Sequence, residues 1–243
     1  MRILCIETST SVCSAAVCED GQVVAQRICR EGANHARLLP CFLDDLVQSL
    51  GLSRNSLDAV SLSSGPGSYT GLRIGTSTAK GLCYGWRVPL VPVPTLEVLC
   101  AAAKKSTGDR IQNTEYRIQS TDVLCPMIDA RRMEVYTALY DSQIQPITEV
   151  RAMVMNEDNS LSSEVEGKRI WYFGDGAAKC QEILSREQWQ YIPDIVPEAQ
   201  YMGALAELLL KAGKGLSGNE IAYYEPFYLK EFVAAQSHVK GLV

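Results

Sequence analysis

Short apolar runs separated by turn residues open the chain. Ile3 to Glu7 and Val12 to Cys18 read as strands, and Gln22 to Cys29 continues them after Asp20-Gly21, a dipeptide that favours a tight hairpin turn. The apolar period then lengthens. Leu38, Leu39, Phe42, Leu43, Leu46, Val47 and Leu50 place a helix over 36–50, and together they cover about 180° of its surface, where packing on one sheet needs about 100°. The surplus implies a second apolar contact, inside the fold or with another chain. Pro40 falls early in this helix, which either bends after an Asn34 cap or begins near Leu39. Asp58 to Ser63 is a strand, Tyr69 to Trp86 a helix, Arg87 to Val93 a strand and Thr95 to Ala103 a helix. Residues 104–121 are polar and read as a connector. Beyond it, Val123–Ile128, Val135–Asp141, Gln143–Val150 and Ile170–Phe173 read as strands and Asn156–Lys168 as a polar loop. Gly176–Arg186 and Ala199–Ala212 read as helices, the latter with Leu205, Leu208 and Leu209 on one face. An aromatic tail from Tyr223 ends in a short helical piece. This order suits an α/β protein with helices packed on mixed sheets. No repeat is visible in the residue identities.

Composition narrows the function classes. The 243 residues are 47% hydrophobic and 21% charged, with a net charge of -5. An acidic chain is a poor stand-alone ligand for nucleic acid, because phosphate contacts need Lys and Arg. The nine cysteines are scattered and form no C-x-x-C pair. Cys5, Cys13, Cys18, Cys83 and Cys100 lie in apolar stretches, as reduced, buried thiols of a cytosolic protein do. Glu7 interrupts the first apolar run, so the N-terminus does not read as a signal peptide. No apolar stretch reaches membrane-spanning length. A cytoplasmic location is expected.

The most informative stretch is Ser63-Ser64-Gly65-Pro66-Gly67-Ser68-Tyr69-Thr70-Gly71-Leu72-Arg73-Ile74-Gly75. It joins a strand to a helix, where backbone N–H groups and the helix dipole can hold a phosphate. It lacks the Gly-Lys-Ser/Thr of a P-loop, the third glycine of the dinucleotide fingerprint (Thr70 stands there) and the central serine of a nucleophile elbow (Tyr69 stands there). A phosphate cradle and a structural turn both remain. Interior helical glycines cost about 1 kcal/mol each relative to Ala. Gly71, Gly75 and Ala79 form one small-residue ridge, suited either to the chain's own sheet or to a second polypeptide. His35 and His238 form no metal-binding pair. Glu7, Asp129, Glu134 and Asp175 are strand-end carboxylates, either turn-capping or ligand-facing. Asp129 to Tyr136 is a mixed-charge turn whose Asp and Arg residues can pair with each other.

Five segments together resemble the TsaB (YeaZ) family: Ile3–Ser9 with its hairpin, His35 with Leu38-Leu39-Pro40, Gly65–Gly75 continuing to Leu82, Asp129–Tyr136, and Pro226–Lys230. The resemblance implies an actin-like ATPase fold of two ribonuclease-H-like lobes, each a mixed sheet flanked by helices. The expected divisions are 1–103, a connector at 104–121, a second lobe at 122–222, and a tail at 223–243 packing back on the first lobe. It further implies a catalytically inert accessory subunit that supports threonylcarbamoyl modification of tRNA adenosine. The implied partners are a TsaD-like protein, a TsaE-like ATPase and a second copy of the chain. Contact with tRNA would be indirect, with no membrane contact, no metal and no cofactor, ATP or ADP binding only in the complex. The implied interface is Leu38, Leu39, Phe42, Leu46, Gly71, Leu72, Gly75, Ala79 and Leu82. A vestigial nucleotide site would comprise Glu7, Thr8, Ser9, Gly65, Gly67 and Ser68. The chain departs from the family pattern at Glu7 (usually Asp), Met133 (commonly Gly) and Tyr69 (frequently Phe). Two enzyme readings of the same superfamily compete. A metallopeptidase needs a second histidine near His35, which is missing. A kinase needs phosphate loops in both lobes, and Gly174-Asp175-Gly176 is the second candidate.

Overall fold

A computed structural model describes residues 1–32, 34–53, 55–110, 117–156, 161, 167–185 and 187–230. His238, the C-terminal helical piece and most of the Asn156–Lys168 loop lie outside the described residues.

The first lobe is built on a five-stranded sheet. Strands β1 (Arg2–Glu7), β2 (Cys13–Glu19) and β3 (Gln22–Cys29) form an antiparallel meander. Strands β4 (Ala59–Ser63) and β5 (Leu90–Val93) run parallel to β1, giving the order β3-β2-β1-β4-β5. Asp20 and Gly21 both take positive φ, the backbone of a two-residue hairpin turn. β1 and β2 are buried along nearly their whole length because helices cover both faces. Helices α1 (His35–Ser49) and α2 (Tyr69–Trp86) bury one face against Leu4, Ile6, Ala15, Val17, Val60 and Leu62. Helix α1 begins before Pro40 with Asn34 at its N-cap, and the proline sits inside it on the exposed side.

Helix α3 runs Thr95–Arg110 rather than stopping at Ala103, so residues 104–110 are not a connector. It is wedged between the lobes. Val98 packs with the first sheet, while Leu96, Leu99, Cys100 and Ala103 pack with the second. Its polar extension is anchored by Lys104 Nζ, which donates to the Ser142 carbonyl at 2.5 Å. A helix buried all round has no amphipathic period, and its charged end masks its continuation.

The second sheet contains β6 (Val123–Asp129), β7 (Glu134–Thr137), β8 (Tyr140–Asp141), β9 (Arg151–Val154), β10 (Ile170–Phe173) and β11 (Trp189–Tyr191). Its order is β11-β10-β6-β7-β9, with β8 also paired to β6. β6-β7 and β7-β9 are antiparallel, and β6-β10 and β10-β11 parallel. Strand for strand this repeats the first sheet, a repeat carried by topology alone. The expected strand Val135–Asp141 keeps one register on β6. It lapses at Leu139, whose N–H donates to Thr148 Oγ1 and whose carbonyl accepts from Ile147 N–H. The expected strand at Gln143–Val150 is absent. Asp141 Oδ1 caps a turn by accepting from Gln143 and Gln145 N–H, and the strand comes later as β9. In place of a helix at Gly176–Arg186 there is a single 3-10 turn, Ala178–Cys180.

The expected helix Ala199–Ala212 is a 3-10 turn, Ala199–Tyr201, followed by α4 (Gly203–Lys211), and it belongs to the first lobe. Ala199 N–H donates to Ser14 Oγ at 2.9 Å, and Ala206 and Met202 pack with Ile3, Cys5 and Val91. A Cβ on Gly203 would lie 2.5 Å from that of Cys18, so α4 approaches β2 closely. The second lobe therefore ends before residue 199 rather than at 222. Leu216 bridges to Leu90, and the short α5 (Asn219–Tyr223) lies beside α2, where Lys80 Nζ donates to the Ala222 carbonyl. Among the described residues no helix is long and apolar enough to cross a membrane.

Candidate functional site

The equivalent ends of the two sheets face each other across a cleft of about 820 Å³. The first lobe contributes Ser9, Thr10, Ser11, Asn34, His35 and the start of α2; the second contributes Asp129, Ala130, Arg131, Tyr136 and Asp175. Tyr228, Leu229 and Lys230 from the tail complete the lining.

On the first lobe the glycine-rich segment closes over the turn after β1. Cβ atoms on Gly67 and Gly71 would lie 2.4 Å from the Ser9 carbonyl oxygen and 2.0 Å from that of Thr8, and one on Gly75 would lie 2.4 Å from Thr8 Oγ1. Ser68 N–H donates to the Ser9 carbonyl at 2.6 Å and Thr8 Oγ1 to the Gly71 carbonyl at 2.8 Å. Ser68 Oγ caps α2 by accepting from Gly71 N–H. These glycines admit the chain's own backbone, and the α2 ridge is consumed internally.

That closure corrects the expected nucleotide site. Ser9, Gly67 and Ser68 line the cleft, but Glu7, Thr8 and Gly65 do not. Glu7 is 0% exposed. Its Oε1 accepts from Ser9 N–H at 2.6 Å and Ser63 Oγ at 2.9 Å, and its Oε2 has no partner. Burial raises its pKa, partly offset by those hydrogen bonds. Ionising this carboxyl in the folded state is thus disfavoured once pH exceeds its ordinary value of 4.5, by an amount that grows until pH passes the raised folded value. Gln in its place keeps the Oε1 acceptor and puts a donor where the protonated acid has one. Glu7→Gln is expected to raise the Tm by a few degrees at pH 8, with the gain vanishing below about pH 4.5. Equal gains at pH 4 and pH 8 in thermal scans would contradict this.

On the second lobe, Arg131 and Arg132 occupy the left-handed region with φ of 70° and 51°. Arg131 N–H donates to Asp129 Oδ1 at 3.1 Å, and Asp129 N–H to Asp175 Oδ1 at 3.1 Å. Asp129 is ion-paired with Lys179, whose ammonium also donates to the Glu134 carbonyl at 2.7 Å. Met133 is not among the positive-φ residues, so this turn does not require glycine there. Gly174-Asp175-Gly176 packs on Met127 and Asp129 as Gly67 and Gly71 pack on Ser9 and Thr8. His35 is buried, with Nε2 at 3.2 Å from the Val12 carbonyl oxygen.

The expected interface also needs correction. Leu39, Leu46, Leu72 and Ala79 are at most 1% exposed, and Gly71 and Gly75 are buried on the inner face of α2. None of the six presents an exposed surface on the outside of α1 or α2. Leu38, Phe42 and Leu82 are half-buried against the same core. The outward face of α2 carries Arg73, Ser77, Gly81, Tyr84 and Gly85 instead, with Tyr84 88% exposed and open space above both glycines. The helical phase held the clue: Leu72, Thr76, Ala79 and Cys83 share the apolar face, which turns residues 77, 81 and 85 outward.

Residues 29–234 match the family model "TsaD: tRNA N6-adenosine threonylcarbamoyltransferase". The chain is 30% identical to the tRNA threonylcarbamoyladenosine biosynthesis protein TsaB of Escherichia coli over 96% of each chain. It is 30% identical to the TsaB of Haemophilus influenzae, over 96% of this chain and 95% of that one. YeaZ from Pseudomonas aeruginosa superimposes with a TM-score of 0.76 at 23% identity, over 94% of this chain and 99% of that one. The last likeness concerns the fold.

Proposed function

The chain belongs to the TsaB family of tRNA threonylcarbamoyladenosine biosynthesis proteins, within the wider family that the TsaD model describes, and from that membership we propose that it is a non-catalytic accessory subunit docking on a TsaD-type protein through the outward face of α2. The observation that carries the reading is that face: Ser77, Gly81 and Gly85 in one row, flanked by Tyr84 and by half-buried Leu82 and Ile74. Small side chains let a second backbone approach, and an exposed tyrosine supplies a rigid anchor with an apolar ring and a polar tip. Half-buried Leu38 and Phe42 on the adjacent α1 extend the patch. The same face serves self-association, so homodimer and complex exclude one another.

The cleft supports an accessory role. The carboxylate ending β1 is sealed inside the lobe, and the one ending β6 is held by Lys179. Nucleotide is held only in the assembled complex with a TsaE-like ATPase, tRNA is met through the partner, and the protein works in the cytoplasm.

Leu46→Asp or Ala79→Arg would test folding rather than docking, since both positions are 0% exposed. Gly81→Arg is the informative variant, with Leu208→Arg on exposed α4 as the control. Gly81→Arg is expected to lose co-purification with a TsaD-type protein by at least tenfold while keeping its circular dichroism, and Leu208→Arg to retain it. A Gly81→Arg protein that still co-purifies would remove α2 from the interface.

A further inference from the structure

The chain returns to the first lobe at Ala199, yet its last described residues leave it again. Tyr224 packs against the core beneath α1 and α2. Phe227 N–H donates to the Ser64 carbonyl at 2.7 Å, and the Phe227 carbonyl oxygen lies 2.5 Å from where a Cβ on Gly65 would be. Gly65 has φ of +107°, so this tight docking depends on glycine twice over. The Tyr228 ring then lies on that of Tyr69, with centroids 5.0 Å apart, at the first turn of α2. Next, the Lys230 ammonium pairs with the carboxylate of Glu134, the first residue of β7 in the other lobe.

We propose that residues 226–230 form a strap that ties the two lobes together beside the cleft and sets how far it opens. The near end of the strap is hydrogen-bonded to the first lobe and sets the Tyr228 ring at a tilt of 44° against that of Tyr69, and its far end is ion-paired to the second lobe. Tyr228 and Lys230 both line the cleft, so the strap is part of its wall. Helix α3 also joins the lobes, and apart from hydrogen bonds at Thr95 and Lys104 its contacts with them are apolar and buried. The two ties differ in kind: α3 acts as a pivot, and the strap as a latch. A partly exposed ion pair is weak, so the latch releases readily while the Phe227 and Tyr228 anchors stay in place. Local openings of this kind draw on the least stable contacts of a fold.

Hydrogen exchange on the full chain tests this, using Glu134→Gln, Lys230→Met, the double variant, and Tyr228→Ala with Lys230→Met. Glu134→Gln spares the Lys179 contact, which is to the Glu134 backbone carbonyl. Each single variant is expected to speed exchange at residues 9–11 and 130–131 by up to about fivefold, with amides of β1 and β6 unchanged. The Glu134→Gln/Lys230→Met pair is expected to exchange no faster than either single variant, because both break one contact. Adding Tyr228→Ala to Lys230→Met is expected to increase exchange further on both sides of the cleft. Multiplicative effects of Glu134→Gln and Lys230→Met, or unchanged exchange at the cleft in Tyr228→Ala/Lys230→Met, would overturn the strap.

Discussion

Gly71→Ala is expected to destabilise the protein by about 3 kcal/mol, whereas Gly81→Ala in the same helix is expected to stabilise it by up to about 1 kcal/mol. The substitutions are chemically identical, and the difference lies in what each Cβ meets. At position 71 the new atom falls 2.0 Å from the Thr8 carbonyl oxygen. That oxygen belongs to backbone held between β1 and α2 by the Thr8 Oγ1 bond to the Gly71 carbonyl and the Ser68 N–H bond to Ser9. No rotamer change relieves the clash, so α2 must lift off the sheet and expose Leu72 and Ala79, both now buried. At position 81 the Cβ meets nothing within 4 Å, and Ala loses less backbone entropy than Gly on entering a helix. Urea unfolding of the two variants measures both effects. Equal midpoints would mean that the glycine ridge is not packed as described.

Asp122→Ala is expected to cost about 3–5 kcal/mol, a fall in Tm of about 10 °C for a chain of this size. Asp122 is 4% exposed and serves four donors at once. It accepts from Arg169 Nε at 3.1 Å and a terminal Arg169 nitrogen at 2.7 Å, from Trp171 Nε1 at 2.7 Å and from Gln119 N–H at 2.8 Å. The Arg169 guanidinium also lies 5.1 Å from the Trp171 ring centroid. Removing the carboxylate takes several bonds at once from a guanidinium that keeps its contact with the Arg117 carbonyl, and leaves the buried indole N–H of Trp171 without this acceptor, so the penalty exceeds that of one lost bond. Asp122→Asn should fall between, since it keeps one oxygen but turns an NH₂ toward donors. Calorimetry that finds Asp122→Ala within a degree of wild type would show that this cluster contributes little to the second lobe.

Legibility differed between the lobes. The first-lobe strands and both of its long helices stood in the apolar pattern because each has a distinct period and sharp ends: Asp20-Gly21, Gly51, the Gly65–Ser68 loop. The second lobe was harder to read. Its strands are short, β7 and β8 are one register interrupted at Leu139, and α3 carries no amphipathic signal between two sheets. Its parts were also misassigned, since α4 packs on the first sheet across a long separation in sequence. Half of the expected nucleotide site reached the cleft. Ser9, Gly67 and Ser68 line it, while Glu7 and Thr8 are covered by the glycine-rich loop and Gly65 by Phe227 of the tail.

By itself the sequence determined the family, the two-lobed α/β plan and the location of the unusual glycines, because residue type and spacing carry propensity, period and turn chemistry. Only the tertiary structure decided direction. It turned Gly71 and Gly75 inward and Gly81 and Gly85 outward, buried Glu7, and brought Lys230 to Glu134. The reason is geometric: spacing along a helix tells which residues share a side, but which side meets the core depends on contacts between segments distant in the chain.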